Sequence, residues 1–130
     1  MKGLFRLLGF FVFSAVCGWG QTPVQRAPAK VATIRNPLEG SERARRAGAK
    51  LYARECAACH GPHGEGRGNA PPLSRAAIQQ AHPGALFWVL RNGSLRRGMP
   101  SFAHLPEPQR WQIVTFLQEA LLAQEGPDGL

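Results

Sequence analysis

Three stretches of the chain repeat apolar residues at the three- and four-residue steps of a helix, and the segments between them are broken by glycine and proline. In the first, Ala44, Ala47, Gly48, Leu51, Tyr52 and Glu55 share one face, while Arg43, Arg46, Lys50 and Arg54 point to wet faces. Ser41 suits the N-cap, and Glu42 puts an acid beside the positive helix start. Gly48 lies on the inward face although glycine costs roughly 1 kcal/mol against alanine inside a helix. Close approach of another backbone would explain it. The second stretch, "GALFWVLRN", buries some of Leu86, Phe87, Trp88, Val89 and Leu90, and Gly93 suits the left-handed position beyond a helix end. The third starts at Glu107, tolerates Pro108 in its first turn, and carries Trp111, Val114, Leu117 and Leu121 as an inward stripe.

The intervening segments show no strand pattern. Residues 21–39 begin "QTPVQRAPAKVATIRNP" and, with three prolines and no helical period, predict an extended linker. Residues 61–75 hold four glycines and three prolines, a long irregular loop of the kind that is functional or disordered. A second loop, "GSLRRGMPSFAHLP", joins the last two helices. The expectation is one all-α domain over residues 40–123 with three core helices, followed by a flexible tail over 124–130. Its apolar content is thin for so much loop, so a staple or prosthetic group is needed.

The N-terminus adds a destination. Lys2 and Arg6 precede the apolar run "LLGFFVFSAV", and small residues follow in "CGWGQ". This is the layout of a secretory signal peptide over residues 1–20, cut at Gly20–Gln21 or at Cys17–Gly18. The run is short for a membrane span, which takes roughly 20 apolar residues. Membrane association follows only if the segment stays uncleaved or Cys17 is lipidated. The expected location is the periplasm or beyond. Loss of Lys2 and Arg6 lowers the formal charge from +8 to +6. Arg43, Arg45, Arg46, Arg54, Arg67, Arg75, Arg91, Arg96, Arg97 and Arg110 supply most of the remainder. Export and the lack of a basic stripe interleaved with aromatics argue against nucleic acid. A dispersed positive surface suits steering of acidic partners.

With Cys17 gone, the cysteines left are Cys56 and Cys59, followed directly by His60 in "ECAACHG". Three chemistries compete for this run. Zinc needs about four ligands, and His60 beside Cys59 gives cramped geometry. A dithiol redox motif belongs after a strand in a βαβ setting, which this chain lacks. As a structural disulfide the pair closes almost no loop. Haem attachment explains the order: two thiols on one helical turn add to the two porphyrin vinyl groups, and the next residue aims its imidazole at the iron.

Haem iron has a second axial position. Met99, the one methionine besides the initiator, lies 39 positions after His60 in "RRGMPSF". Gly98 lets that backbone come near the ring and Pro100 fixes its direction. A loop methionine between glycine and proline is an unusual core gap-filler. His63, His82 and His104 are the competing ligands, with His104 the strongest substitute.

On these residues the chain resembles the class I mono-haem cytochromes c of bacteria, over roughly residues 40–122. "AGAKLYARECAACHG" looks like the family's first helix and haem motif, "GNAPPL" its proline loop, "RNG" and "GMPSF" its methionine loop, and "RWQIVTFL" its last helix. The resemblance implies a small cytochrome c fold wrapped around one covalent haem c, with Gly48 and Tyr52 against Ile113 and Phe116 where first and last helices cross. It implies that the Pro71 carbonyl accepts a hydrogen bond from His60 Nδ1 and that Leu73 packs on the haem. Trp88 packs on the haem, shields a propionate, or simply fills core. The expected function is one-electron transfer without catalysis, as a soluble carrier or as the cytochrome subunit of a redox complex. Its partner would be an exported dehydrogenase or terminal oxidase with an acidic docking surface. The alternative is a haem enzyme or gas sensor with a displaceable Met99.

Overall fold

A computed structural model describes residues 20–121 except Arg75. The predicted leader up to residue 19, with Cys17, and the predicted tail at 124–130 lie outside the described residues. The described chain is helical: α1 Ala29–Ala32, α2 Glu42–Glu55, α3 Ala57–His60, α4 Ala76–Gln79, α5 Pro83–Asn92 and α6 Glu107–Phe116, the last running on into a π-helical turn, Leu117–Leu121. Among the described residues no strand forms, and the β pairings are two isolated bridges, Arg67–Ala70 and Ser94–Met99. The all-α expectation holds, and α2, α5 and α6 are its three long helices. None of the described helices is long and apolar enough to cross a membrane.

Local chemistry sets the helix ends. Ser41 Oγ accepts a hydrogen bond from the Ala44 N–H at 3.2 Å, capping α2 as its hydroxyl at that position requires. Pro83 opens α5, where its missing N–H costs nothing. Gly93 closes α5 at φ +70° and ψ −170°, an extended region nearly reserved for glycine rather than the left-handed helical one expected. A Cβ there would lie 2.7 Å from the Met99 carbonyl oxygen, so glycine at this position lets the methionine loop fold back onto the helix end.

The core forms where α2 crosses α6. A Cβ on Gly48 would collide with the Gln112 carbonyl and sit 2.8 Å from Phe116 Cβ. The inward glycine is therefore a backbone-to-backbone contact. Tyr52 packs on Phe116 with ring centroids 5.3 Å apart. Trp111, Val114, Leu117 and Leu121 are buried, and so are Arg110, Ile113 and Thr115. The inward face of α6 is thus wider than the predicted stripe.

Residues 21–39 are not simply extended. A 3-10 turn at Val24–Arg26 and helix α1 both pack against α5. Asn36 is buried, and its Nδ2 donates to Thr115 Oγ1 on α6 at 2.9 Å. The Gly40 N–H reaches Glu119 Oε1 at 2.8 Å. The segment is a strap, because its few apolar residues and Asn36 find partners on helices distant in sequence. A cavity of about 270 Å³ lies between strap and α5, lined by Val24, Ala32, Ala81, His82 and neighbours, away from Cys56, Cys59, His60 and Met99.

Gly48→Ala is expected to lower the stability of the haem-loaded protein by about 2 kcal/mol net, since overpacking outweighs the gain in helix propensity. Denaturant unfolding checks this; an unchanged or raised midpoint would show that the two helices can part without cost.

Candidate functional site

Cys56 is the hinge between two helices. Its N–H still bonds to the Tyr52 carbonyl at 2.8 Å, but its φ of −118° ends α2 and a new turn, α3, begins at once. The Cys59 and His60 N–H groups both bond back to the Cys56 carbonyl, at 3.2 and 2.9 Å. Positions i, i+3 and i+4 of a helical turn are neighbours on one face. Cys56, Cys59 and His60 therefore stand together because the chain folds into that single turn. Both cysteines are free thiols, Cys56 buried and Cys59 exposed. Burial pushes the Cys56 thiol up to about 12, with the negative charges of Glu55 and Cys59 adding to it, so it packs as a neutral group.

The loop after His60 is wound around its ring. The Gly66 N–H bonds to the His60 carbonyl at 2.7 Å, and the Leu73 N–H to the Gly64 carbonyl at 2.8 Å. These contacts bring Pro71 back, so that His60 Nδ1 donates to the Pro71 carbonyl at 3.2 Å. A carbonyl can only accept, so Nδ1 carries a proton, and in the neutral ring the lone pair is left on Nε2. Tyr52 OH ties α2 to the same turn by donating to the Gly61 carbonyl at 2.7 Å. Leu73 is buried within the core cluster that also holds Cys56, Leu117 and Leu121. Trp88 is half-buried and stands outside that cluster.

Met99 is half-buried and packs against the core cluster. Its backbone is clipped to Ser94 from both sides, Ser94 N–H to Met99 carbonyl at 2.9 Å and Met99 N–H to Ser94 carbonyl at 3.2 Å. Ser101 Oγ donates to the Arg91 carbonyl at 2.6 Å, and the Phe102 N–H to the Leu90 carbonyl at 2.8 Å. The methionine loop is thus laced to the end of α5. His63, His82 and His104 are exposed. Of the cationic surface, Arg67, Arg91 and Arg96 are exposed, whereas Arg97 donates to the Gln21 carbonyl at 3.1 Å and Arg110 is buried. Arg110 is the exception to the expected positive surface, because it sits at an inward position of α6 with carbonyls in reach.

Sequence reasoning passed over Ser94, Ser101 and Asn36, since each acts through a backbone or side chain brought near by folding. The signal for Arg110 was available: it falls three residues before Ile113 and four before Val114, on the inward face.

The donor set suits haem c. Two free thiols and an imidazole share one helical face, the imidazole has its Nδ1 engaged and Nε2 free, and a half-buried thioether lies on a loop laced to the same core. Among the described residues no group of three or more His, Cys, Asp or Glu side chains is placed to hold a metal ion. Fold and site define a class I c-type cytochrome, a haem c electron carrier rather than an enzyme. Residues 43–117, more than half the chain, match the family described as cytochrome c oxidase, cbb3-type, subunit III, and the chain belongs to that family. A solved structure with the same fold is cytochrome cL of the marine methylotrophic bacterium Methylophaga aminisulfidivorans MPT, at 24% identity over 77% of this chain and 68% of that one, with a TM-score of 0.57. No curated protein matches significantly.

Burial is the first cause that raises the Tyr52 hydroxyl from its ordinary value near 10 to about 12, with negative charge at Cys56 and Glu65 adding to it. A proton held more tightly in the folded state stabilises that state fully below pH 10, and this contribution is lost as pH rises through 12. Tyr52→Phe is expected to cost about 1 kcal/mol at neutral pH through the lost bond to Gly61. It should also flatten the fall in melting temperature between pH 10 and 12; an equally steep fall in the variant would assign that titration elsewhere.

Proposed function

We propose that this chain is an exported electron carrier whose single haem c is attached through Cys56 and Cys59 and ligated by His60 and Met99. The observation that carries the reading is the His60–Pro71 hydrogen bond. It leaves Nε2 as the one free ring nitrogen, on the same face as two free thiols. The Pro71 carbonyl orients the ring and strengthens its donation to a metal. The half-buried Met99, clipped to Ser94, offers a thioether as the sixth ligand, and a thioether favours ferrous iron. Haem c would supply one-electron exchange at its iron. With both axial positions filled by the protein, the chain's task is to hold, shield and orient that group.

The leader-like N-terminus supports export to the periplasm, as a soluble protein or, with Cys17 lipidated or the leader retained, at the membrane. The family's description supports service in a redox complex such as a cbb3-type oxidase. An exported dehydrogenase would present the same chemical demand. Leu95, 77% exposed, lies on the methionine loop beside exposed Arg96, with exposed Arg91 at the adjoining end of α5. An apolar tip flanked by cations suits a partner with an acidic rim.

The test begins with a pyridine haemochrome spectrum and intact mass of the exported protein, which should show one haem bound through two thioethers. Met99→Ala should keep that covalent haem and lower the reduction potential; an unchanged potential and spectrum would remove Met99 from the iron. Rapid cyanide binding and peroxidase turnover by the wild type would favour the enzyme or sensor reading. The rate of electron exchange with an acidic partner should fall as salt rises past 0.1 M, where the screening length is about 10 Å; a salt-independent rate would argue against electrostatic docking.

A further inference from the structure

We infer that Arg110 is the clamp that holds the methionine loop in its ligating position. The inference rests on Met99 being the sixth ligand. Arg110 projects from the first turn of α6 but is only 8% exposed. Its Nη1 donates to the Leu105 carbonyl and, at 3.3 Å, to the Ala103 carbonyl. Its guanidinium carbon lies 5.0 Å above the centre of the Phe87 ring, and Phe87 stacks in turn on Trp111 at 4.1 Å and 17°. Its Nε has no hydrogen-bond partner among the described residues.

A buried guanidinium with two carbonyls and one aromatic face for company, and no carboxylate among the described residues, is expensive to keep for stability alone. What it does geometrically is specific. The loop leaving Met99 is fixed at its start by the paired bonds to Ser94, and in the middle by Ser101 and Phe102 on the end of α5. The Ala103 and Leu105 carbonyls turn toward α6, and Arg110 is the side chain that donates to both of them. One planar fork thus joins three elements: the descending loop, α5 through Phe87, and α6 through its own backbone. Lysine cannot reproduce this, because it carries a point charge and no planar face for the ring. With the fork removed, residues 103–105 would keep their local bonds to Ser101 and Phe102 and the burial of Leu105 but lose their charged tie to α6, and displacement of the Met99 sulfur would cost less.

A ligand such as cyanide binds the iron only in the state with the sulfur displaced, so its binding rate reads the population of that state. The experiment uses haem-loaded Arg110→Met and Arg110→Lys. Methionine removes the buried charge while keeping apolar volume. A reference variant, Thr115→Val, removes the buried bond to Asn36 on the same helix without touching the loop. Three quantities are measured for each: the ferric methionine–iron charge-transfer band, the rate of cyanide binding, and the unfolding midpoint in the ferrous state. The expected result is that both Arg110 variants retain the band at room temperature, lose it at lower temperature than wild type on heating, and bind cyanide on the order of tenfold faster. That factor corresponds to one lost hydrogen bond to a charged group. Arg110→Lys should lie between wild type and Arg110→Met. Thr115→Val should lower the unfolding midpoint and leave the cyanide rate unchanged. Wild-type cyanide rates in both Arg110 variants, or equal acceleration in Thr115→Val, would overturn the clamp and leave Met99 ligation standing. A wild-type protein without the charge-transfer band would overturn the ligation reading, and the clamp with it.

Discussion

The backbone of α2 rests directly on that of α6 at Gly48, and the arrangement of the site descends from this contact. Only hydrogen fits between Gly48 and the Gln112 carbonyl. The close crossing brings Tyr52 onto Phe116 and lets the Tyr52 hydroxyl reach Gly61, one residue past the haem motif. Ile113 and Val114 are fully enclosed under the same crossing. An Å or two of extra separation would open this core and release the turn that carries Cys56, Cys59 and His60. A small domain with this much loop has little other apolar area to compensate.

From that anchor the two halves of the proposed iron site are built by different means. The His60 half is local: one turn of helix, then a glycine-rich loop whose backbone bonds return Pro71 to the ring. Glycine at Gly61, Gly64 and Gly66, all with positive φ, allows a loop this tight to circle the histidine. The Met99 half is non-local. It hangs between α5 and α6, clipped to Ser94, Leu90 and Arg91 on one side and to Arg110 on the other. With the proposed ligands, electron transfer would be served by this division, because a ligand set must change little between the two oxidation states. Rigid backbone lacing on both sides limits such movement.

The N-terminal strap alters how the domain meets its surroundings. Its bonds to Thr115, Glu119 and Arg97 join the chain's entry to the last helix and to the methionine loop. Exposed arginines are spread over the strap, α2 and both loops, and on the methionine-loop side Arg91 and Arg96 flank exposed Leu95 in sequence.

Much of this was legible in the sequence because it rests on short-range rules. Helical periodicity located α2, α5 and α6; Ser41, Gly93 and Pro108 marked one end of each; and the order Cys56, Cys59, His60 named haem, since a single turn suffices to present all three. Even the crossing at Gly48 could be expected, because an inward glycine has few other uses. The tertiary structure alone decided which residues touch across long separations. Asn36 is polar in a proline-rich segment, and nothing local indicates that Thr115 satisfies it. Arg110 is one arginine among many, and burial singles it out by placing two loop carbonyls and an aromatic face around it. Local periodicity reports which face of a helix is apolar; which carbonyl or ring will meet that face depends on how distant segments pack, and no stretch of sequence holds that information by itself.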